Sequence, residues 1–539
     1  MELPDLRDYA RLRQGFGWQL PQTYNTGVDV CDRWAVLDPQ RVAISDWSAG
    51  HPVATTFGAL RAWSNRLANH LRAVGIRPGD RVGLILPQGA AVVAAHVALY
   101  KLGAVVLPLA AVFGPDGLAH RLNDSGAVAV LTDSAGATKL AGIDPPPPAL
   151  HHVLLVDGDF DERIAQQSAV FEPVASGPDD PALMIYTSGT TGQPKGALHG
   201  HRVLLGHLPG VRFSHEFLPQ GGDVMWTPAD WAWAGGLLNA LLPSLRYGVP
   251  VVARPFEKFD PQAAWALMTE AGVRNAFIPP TALRLLATVA PDRRPALRTV
   301  TSAGEALGAE TVAWGQDAFG LTINDVYGQT ECNYVLASCS AIGIARAGTI
   351  GQPVPGHDVA VIRPDGSTAA PDEPGEIAVA APDPALFLGY WNNPGATAAK
   401  FRGRWMLTGD QARADRDGYV TFLGRDDDII TSSGYRIGPA EVEDCLRGHP
   451  AVATAAAVGK PDTLRTELVC AFVVLRPGCA PSDALAASIR THVRNRLSAH
   501  EYPREIRFVD ALPVTSSGKV LRRQLRAALD PSGPSPHGA

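Results

Sequence analysis

The segment from residue 186 to residue 196, with the sequence Tyr-Thr-Ser-Gly-Thr-Thr-Gly-Gln-Pro-Lys-Gly, has the composition of a loop that binds phosphate. Glycines let backbone N–H groups turn toward an anion, Ser and Thr hydroxyls donate further hydrogen bonds, and a lysine supplies a positive charge. The apolar run Ala182–Tyr186 precedes the segment and predicts a buried strand. The spacing is not the Gly-x4-Gly-Lys-Ser/Thr pattern of P-loop proteins, which disfavours P-loop kinase or ATPase chemistry. Taken alone, such a cluster is also typical of a Ser/Gly-rich surface loop.

Four further polar segments follow in order, and they favour the phosphate-binding interpretation. Their sequences are Ser-Ala-Gly-Glu-Ala at 302–306, Asp-Val-Tyr-Gly-Gln-Thr-Glu at 325–331, Thr-Gly-Asp at 408–410 with Gly-Arg-Asp-Asp-Asp at 424–428 and Ser-Gly-Tyr-Arg-Ile-Gly at 433–438, and Pro-Val-Thr-Ser-Ser-Gly-Lys at 513–519. Together the five resemble the adenylate-forming superfamily of acyl-CoA synthetases, peptide-synthetase adenylation domains and luciferases. The resemblance extends from about Asp29 to Arg526 and is closest to the AMP-forming medium-chain acyl-CoA synthetases.

This resemblance implies a two-step activation of a carboxylic acid, with ATP, Mg²⁺ and coenzyme A as cofactors and co-substrates. The carboxylate attacks the α-phosphorus of ATP to give an acyl-adenylate and pyrophosphate, and the CoA thiol then displaces AMP. A carboxylate is a poor electrophile, so the enzyme mainly has to position the reactants and neutralise charge. Two alternatives stay open at this point: an adenylation enzyme that loads the phosphopantetheine of a carrier protein, and a catalytically inactive nucleotide-binding protein on the same scaffold.

The resemblance also assigns nucleotide-binding roles to single residues. Glu331 is implied as the Mg²⁺ ligand, a hard oxygen donor of the kind that this ion prefers, and Thr330 as a donor to the α-phosphate. Asp410 is implied to accept from the ribose hydroxyls, with Arg425 donating to the same sugar. Asp325 is implied to accept from the adenine amino group, with Tyr327 flat against the base. The full implied ATP/AMP-binding set is Thr187, Ser188, Gly189, Thr190, Thr191, Gly192, Lys195, Gly304, Glu305, Ala306, Asp325, Tyr327, Gly328, Gln329, Thr330, Asp410, Arg425 and Arg436.

The resemblance makes Lys519 the catalytic lysine, which binds the incoming carboxylate and the α-phosphate in the transition state. Taken alone, a lysine in a Ser/Gly loop before a basic segment would be a helix-capping residue. By the same resemblance, Asp427 is the hinge about which a small lid turns. The turn brings the segment Ser433, Gly434 and Tyr435 to the site as the passage for the CoA arm, because Gly434 has no side chain to obstruct a pantetheine chain.

We expect the acyl pocket to hold an acid larger than acetate. Acetyl-CoA synthetases resemble this chain in the segment around Gly328, but they carry a tryptophan in place of the glycine. That tryptophan closes the pocket behind a two-carbon acid. Small residues at several pocket positions therefore favour a medium-chain, branched or aromatic acid, and each further buried methylene contributes up to about 0.8 kcal/mol. The alternative is that Trp231 and Trp233 refill the space. The residues assigned to this pocket are Trp233, Ala234, Gly235, Ala303 and Gly328.

Alternating apolar strands and amphipathic helices predict an α/β protein with a large multi-layer N-terminal domain and a small α+β lid. Expected strands include Val128–Leu131, Val153–Val156, 418–424 and Leu468–Leu475, and expected helices include Pro261–Glu270, Ala309–Phe319, Glu441–Leu446 and Val520–Arg526. Three consecutive acidic residues place the domain boundary near 426. The expected division is therefore an ATP- and acyl-binding domain at 1–426, a lid at 427–530 that carries the lysine and the CoA-passage loop, and a disordered Pro-rich tail at 531–539.

Composition narrows the possible partners. The 539 residues are 46% apolar and 19% charged with a formal net charge of −6, which is typical of a globular enzyme and gives no reason to expect nucleic acid or an anionic membrane as partner. The apolar stretch Val82–Val112 is interrupted too often to span a bilayer and predicts a buried strand-helix-strand unit. The first residues do not resemble a signal peptide, so we expect a cytoplasmic protein.

Six scattered cysteines lack metal-binding spacing and are expected to be reduced, and His199 and His201 are expected to be packing residues. The oligomeric state is not predicted.

Overall fold

The structure is a computed structural model that describes residues 3–187, 194–305, 307–425, 428–432, 435–462, 466–496, 502–515 and 518–529. It is an α/β fold in which, within these ranges, the strands form four sheets. The strands are β1 Val42–Asp46, β2 Val53–Thr56, β3 Arg81–Ile85, β4 Val105–Pro108, β5 Ala129–Thr132, β6 His152–Leu155, β7 Pro181–Thr187, β8 Lys195–Gly200, β9 Met225–Trp226, β10 Val251–Ala253, β11 Asn275–Phe277, β12 Thr299–Ser302, β13 Ile323–Tyr327, β14 Leu336–Ala337, β15 Gln352–Pro353, β16 Val359–Ile362, β17 Gly375–Ala380, β18 Gly389–Tyr390, β19 Phe401–Arg402, β20 Trp405–Ala414, β21 Val420–Arg425, β22 Ile430–Ser432, β23 Tyr435–Ile437, β24 Val452–Asp462, β25 Thr466–Leu475 and β26 Glu505–Phe508.

Helices cover and connect these sheets. They are α1 Tyr9–Gly15, α2 Arg33–Leu37, α3 Phe57–Ala73, α4 Ala90–Leu102, α5 Pro115–Ser125, α6 Ser134–Ala141, α7 Phe160–Ala165, α8 Val203–Ser214, α9 Ala234–Gly236, α10 Leu242–Tyr247, α11 Pro261–Glu270, α12 Pro280–Leu286, α13 Ala309–Phe319, α14 Pro394–Ala399, α15 Pro439–Arg447, α16 Asp483–Arg496 and α17 Arg522–Ala527, with π turns at Val28–Asp32 and Leu237–Leu241 and a 3₁₀ turn at Ser340–Ile342. None of the helices in the described ranges combines the length and the apolar character that a bilayer crossing requires. The expected cytoplasmic location stays a prediction.

Two mostly parallel sheets form the larger part of the molecule. One has the order β15-β14-β13-β12-β11-β9-β10-β1-β2, and its strands from β13 to β1 run parallel. The other has the order β18-β8-β7-β4-β3-β5-β6, parallel from β7 to β6. The expected strand-helix-strand unit is β3-α4-β4, and α4 is buried over most of its length. Strands buried on both faces are apolar throughout, which is why this stretch of sequence resembles a membrane segment in composition.

Two smaller sheets follow along the chain. One is antiparallel, with the order β16-β17-β20-β19 and β21 paired to β20. The other has the order β23-β22-β25-β24 with β26 beside β25, and it contains only strands that begin at Ile430 or later. The change of sheet falls between β21 and β22, near the expected boundary at 426. Residues 426 and 427 lie outside the described ranges, so the boundary, the hinge Asp427 and the tail at 531–539 stay predictions.

Local sequence explains where the helices begin and end. Helix α11 spans the expected Pro261–Glu270, because the Asp260 side chain accepts from the backbone N–H groups of Gln262 and Ala263 and Pro261 occupies the first turn. Helix α13 spans the expected Ala309–Phe319, and Gly320 caps its C-terminal end with a φ of +73°. Other elements differ from the expected bounds by one or two residues. The strand expected at Val153–Val156 is β6, and the strand expected at 418–424 is β21. The helix expected from Val520 is α17, which begins at Arg522. The final displacement arises because Val520 pairs with Val514 in a short bridge.

Candidate active site

The candidate site begins at the carboxyl ends of two neighbouring parallel strands. Ser302 at the end of β12 pairs with Asp325 in β13, so the loops that follow the two strands leave the same edge of the sheet. Ligands of open α/β sheets bind at this edge. The topology therefore brings together Gly304 and Glu305 from one loop and Gly328, Thr330 and Glu331 from the other, which lie 23 or more residues apart in sequence.

The carboxylate of Asp410 is the centre of a buried polar cluster. The Tyr327 hydroxyl and the Gln329 amide both donate to Asp410 Oδ2 at 2.6 Å, and Arg425 Nη1 lies 3.3 Å from Asp410 Oδ1. Asp410 is buried, and burial raises the pKa of its carboxyl, although Arg425 and the two donors oppose that rise. A fourth interaction comes from the C-terminal region, because the positive charge of Lys519 also lowers the pKa of this carboxyl. Four residues predicted for the site from separate segments thus act on the one carboxylate of Asp410.

Glu331, the implied Mg²⁺ ligand, is buried and bonded to a residue that the sequence did not single out. The Tyr390 hydroxyl donates to Glu331 Oε1, and Lys195 Nζ lies 5.2 Å from the centroid of the Tyr390 ring. Burial, with the Glu331 charge next in size, raises the pKa of Tyr390 above its usual value. Tyr390 reaches this place because β18 pairs with β8, with Tyr390 opposite Ala197. No local signal distinguishes Tyr390 from the other tyrosines in the sequence.

The donor set is chemically suited to the groups that the site is expected to hold. Mg²⁺ in nucleotide sites is bound by one or two carboxylates together with phosphate oxygens and water, and Glu331 offers one such oxygen donor group. A lysine beside the phosphate loop, here Lys195 at the start of β8, supplies positive charge on the same side. The cluster on Asp410 presents a carboxylate and a guanidinium, which can serve ribose hydroxyls as acceptor and donor.

Asp325 and Glu305 occupy the two other edges of the candidate nucleotide site. Burial raises the pKa of the Asp325 carboxyl well above its usual value. A bound amino group that donated to this carboxylate would oppose the rise by favouring the ionised form. Glu305 is held in place by two neighbours on α12: Thr281 Oγ1 donates to Glu305 Oε1 at 3.0 Å and Arg284 Nη2 donates to Glu305 Oε2 at 2.6 Å. The roles of both residues toward adenine and phosphate stay predictions.

The loop that carries Lys519 lies against this edge of the site. Its backbone is closed by Thr515 N–H donating to Lys519 O at 2.7 Å and by Lys519 N–H donating to Thr515 Oγ1 at 3.1 Å. Gly518 has a φ of +87°, and a Cβ built on it would lie 3.4 Å from Thr281 Oγ1. The Lys519 side chain is exposed. The predicted catalytic lysine therefore belongs to the same cleft as Asp410 and Glu305.

Several assigned residues lie outside the described parts of the chain. These are Ser188, Gly189, Thr190, Thr191, Gly192, Ala306, Asp427, Ser433 and Gly434. Thr187 ends β7, opposite Lys195 in β8, so both flanks of the phosphate loop are placed at one point. Tyr435 and Arg436 belong to β23, and the structure describes their backbone only.

Two of the assigned acyl-pocket residues, Gly328 and Gly235, are closely packed against neighbouring groups. A Cβ on Gly328 would lie 2.4 Å from the carbonyl carbon of Asn333, and a Cβ on Gly235 would lie 3.0 Å from the Phe277 ring. The missing side chains therefore allow close packing and do not simply leave open space. The assignment of Gly328 to an enlarged acyl pocket stays a prediction, and backbone already occupies the direction in which a side chain at this position would extend.

The remaining pocket residues form part of an apolar wall. Trp233 is half-buried and packs edge-on against Phe113 with the ring centroids 5.6 Å apart, while Ala234 and Ala303 pack against the large apolar core. Trp231 is buried in the same core. The two histidines that follow the phosphate loop are also core residues, because burial lowers the pKa of His199 to about 3 and of His201 to about 4. Both are neutral at pH 7, which suits packing and not proton transfer.

Comparison with known proteins identifies two matching families. The family described as AMP-binding enzyme matches residues 31–391, and the family described as AMP-binding enzyme C-terminal domain matches residues 441–519. The acetyl-coenzyme A synthetase of Bacillus subtilis strain 168 is 34% identical over 527 residues, which cover 93% of this chain and 90% of that protein. The mitochondrial acyl-coenzyme A synthetase ACSM3 of Mus musculus is 32% identical over 541 residues, with 96% and 93% covered. Among solved structures, the anthranilate CoA ligase AuaEII in complex with anthranoyl-AMP has a TM-score of 0.88 at 28% identity, with 95% of this chain and 98% of that chain covered.

Proposed function

This chain belongs to the family of AMP-binding enzymes, and from that membership we propose the part of its function that the family leaves open: the acid is a medium-chain, branched or aromatic carboxylic acid and not acetate. The general activity is that of an AMP-forming acid–CoA ligase, which uses ATP, Mg²⁺ and coenzyme A. The acceptor that the sequence left open is therefore CoA. Its substrates are an acid, ATP and CoA.

The observation that carries the proposal is the turn at Gly328. In acetyl-CoA synthetases the corresponding tryptophan closes the pocket, whereas here the backbone of Asn333 and Tyr334 lies within 2.4–2.7 Å of the place where a Cβ would stand. No side chain can extend from residue 328 without moving that backbone. The pocket is therefore bounded by other residues, and the closure expected of an acetate enzyme cannot come from this position.

The chemistry of the apolar wall supports a larger acid. Phe113, Trp233 and Phe277 present aromatic surface next to the small residues Ala234 and Gly235. Aromatic rings pack well in edge-to-face contact with other rings, and alkyl chains gain from the same apolar surface. The similarity to an anthranilate CoA ligase at 28% identity is compatible with an aromatic acid. The similarity to an acetyl-coenzyme A synthetase shows that overall identity does not decide the substrate, so the proposal depends on the pocket residues.

In the proposed mechanism each part of the cleft has one task. Asp410 and Arg425 orient the ribose, Glu331 and Lys195 face the phosphates, and Lys519 neutralises the charge that develops at the α-phosphate. The acid binds beside the turn at Gly328 with its carboxylate toward the α-phosphorus. Attack forms the bond from the carboxylate oxygen to phosphorus and releases pyrophosphate, and attack of the CoA thiol on the acyl carbon then releases AMP.

The two steps use one cleft if the small C-terminal region at 427–530 turns relative to 1–426. We retain this division as part of the proposal, with the CoA arm passing Ser433, Gly434 and Tyr435 after Lys519 has been withdrawn. Among the described residues, the C-terminal region approaches the larger region at several points. Pro439 lies close to Gly424, the Asp444 carboxylate lies close to Gly308, and Arg476 forms an exposed ion pair with Glu310 at 3.2 Å.

A panel of acids tests the proposed substrate class. The purified enzyme is given Mg²⁺, ATP and one acid at a time, from acetate to decanoate together with branched acids and benzoates, and pyrophosphate release is measured with and without CoA. The proposal expects kcat/KM for at least one longer, branched or aromatic acid to exceed that for acetate by about tenfold or more, since two buried methylenes already correspond to about that factor. A maximum at acetate would overturn it.

A variant with a narrower pocket tests whether residue 234 lines the acyl site. Ala234→Leu adds bulk beside Trp233, and it should lower kcat/KM for the preferred long or aromatic acid while acetate is little affected. Gly328→Trp is a poor test, because the clash with the Asn333 backbone would disturb the whole turn. Ala141→Leu, at the end of α6 and away from the cleft, controls for the added bulk. Equal losses for acetate and for the larger acid in Ala234→Leu would show that residue 234 does not line the pocket.

A further inference from the structure

Two buried asparagines meet beside the candidate acyl pocket. Asn239 is 2% exposed and Asn333 is 6% exposed, and Asn333 Nδ2 donates a hydrogen bond to Asn239 Oδ1. The two residues are 94 positions apart in sequence and belong to different elements, since Asn239 is in the π turn Leu237–Leu241 and Asn333 follows the Thr330-Glu331 segment. A polar pair of this kind in an apolar wall needs a reason, because burying an amide is costly unless its groups are bonded.

The pair adjoins both glycines assigned to the acyl pocket. Asn239 Nδ2 lies 4.0 Å from the place of a Cβ on Gly235, whose other neighbour is the Phe277 ring. The backbone of Asn333 is the group that lies 2.4 Å from the place of a Cβ on Gly328. The Asn239 amide thus lies next to Gly235, and the Asn333 amide is joined to it by the mutual hydrogen bond while the Asn333 backbone lies against Gly328.

The local backbone at both asparagines is unusual. Asn333 has a φ of +27°, a region that non-glycine residues seldom adopt, and Asn239 lies on a π turn inserted between α9 and α10. Glycine would meet the backbone requirement at position 333 with less strain. Strained backbone and π turns are concentrated at ligand sites, where the cost is offset by a function of the side chain that they hold.

The hydrogen bond between the asparagines leaves part of each amide unused. An asparagine side chain offers two N–H donors and one carbonyl oxygen, and within the described residues this mutual bond is the side-chain hydrogen bond that each one makes. Exchanging the oxygen and nitrogen of both amides gives the same result: the pair still presents one NH₂ group and one carbonyl oxygen. Buried amide groups are nearly always bonded, so the free groups point to a ligand that supplies the missing partners.

We propose that Asn239 and Asn333 form a specificity-determining pair that recognises a hydrogen-bonding substituent on the acid, such as a hydroxyl, amino or carbonyl group. This inference rests on the proposed function, which places the chain or ring of the acid beside Gly235 and Gly328. The preferred substrate is then a substituted medium-chain or aromatic acid. An unsubstituted acid of the same size leaves the buried amides unpaired and binds less well.

Matched pairs of acids test the proposal. ATP–pyrophosphate exchange is measured for benzoate and its hydroxy- and amino-substituted forms, and for hexanoate and its hydroxy- and oxo-substituted forms, with the wild-type enzyme and Asn333→Gly. The wild type should favour at least one substituted acid over its parent by about tenfold in kcat/KM, and Asn333→Gly should reduce that ratio to about twofold or less, with the KM for ATP unchanged.

Two further variants separate recognition from folding. Asn392→Gly makes the same substitution at another asparagine of positive φ, exposed and away from the pocket, and should leave the ratio at the wild-type value. Asn239→Leu removes the other amide at similar volume and should lower the ratio as Asn333→Gly does. A wild type without preference for any substituted acid, or a preference that survives both Asn333→Gly and Asn239→Leu, overturns the proposal. If none of the acids supports exchange with the wild type, the proposed function fails instead.

Discussion

The two sides of the catalytic cleft are built in opposite ways. On the Asp410 side, Tyr327, Gln329 and Arg425 converge on one buried carboxylate, and their strands and loops belong to the two sheets β12-β13 and β20-β21. On the Lys519 side, a short turn closed on Thr515 presents an exposed lysine, and a Cβ built on Gly518 would lie 3.4 Å from Thr281 Oγ1. The Asp410 side is held together by hydrogen bonds among its own side chains. The turn that carries Lys519 makes its backbone bonds within itself and lies against the site.

The difference follows from what each half has to do. A group that orients ATP gains from being fixed before the ligand arrives, since a preorganised dipole costs no reorganisation during the reaction. In the proposed mechanism Lys519 withdraws before the thiol step, and a side chain that moves in this way cannot be bonded into a core. The comparison predicts that changes on either side reduce the adenylation step, but that only changes at Asp410 and its neighbours also weaken ATP binding.

The largest effect is expected for Lys519→Ala. Removing a charge that stabilises the transition state should lower the rate of acyl-adenylate formation by about a hundredfold to a thousandfold, while KM for ATP changes little. The conversion of supplied acyl-adenylate and CoA to acyl-CoA should be retained. Single-turnover rates of the two half-reactions measure this division, with Lys460→Ala, a lysine of the same region that pairs with Glu505, as the control. Equal loss of both half-reactions would contradict the division of labour.

Asp410→Asn should produce the next largest effect. The substitution keeps the shape of the side chain but removes the charge that pairs with Arg425, and charge-assisted hydrogen bonds contribute about 1.5–3 kcal/mol. We expect kcat/KM for ATP to fall by about tenfold to a hundredfold, mostly through KM. Asp417→Asn, an exposed aspartate that pairs with Arg346, is the control and should behave as wild type. An unchanged KM for ATP in Asp410→Asn would remove this carboxylate from the nucleotide site.

Tyr390→Phe tests the residue that only the structure brought into the site. Loss of the hydroxyl bonded to the Glu331 carboxylate should raise the Mg²⁺ concentration needed for half-maximal rate by about threefold to tenfold, because water can replace part of the lost hydrogen bond. The measurement is a Mg²⁺ titration of pyrophosphate release at saturating ATP and acid. Tyr419→Phe, whose hydroxyl bonds to the backbone of Gly343, is the control. If both variants shift the titration equally, Tyr390 has no specific role toward Glu331.

The smallest effect is expected for Glu310→Gln. The ion pair of Glu310 with Arg476 joins the larger region to the small C-terminal region, but both partners are about half exposed, and such pairs contribute less than about 1 kcal/mol. The adenylation rate should fall by about threefold at most at low salt and equal the wild type at high salt. Glu257→Gln is the control. A large, salt-independent loss would mean that this ion pair contributes far more than its exposure indicates.

The sequence was most informative where residues act through type and local spacing. The buried strand before the phosphate loop and helix α11 were predicted from an apolar run and from Asp260 followed by Pro261, because their causes lie within a few residues. The link from Asp410 to Tyr327 and Gln329 joins residues about 80 positions apart, so spacing could suggest each role but not the shared bond. Tyr390 and the Asn239–Asn333 pair gave no signal at all, since a single tyrosine or asparagine in a loop or helix is ordinary.

The amino-acid sequence by itself determined the class of reaction and the α/β order of elements, because the five polar segments and the apolar periodicity are properties of short stretches of chain. Only the tertiary structure decided which side chains share a bond, that Gly328 and Gly235 serve close packing, and that the buried amides of Asn239 and Asn333 are bonded to each other. Strand pairing and packing bring together residues tens to hundreds of positions apart, and nothing in a local stretch records which distant group will occupy the space next to it.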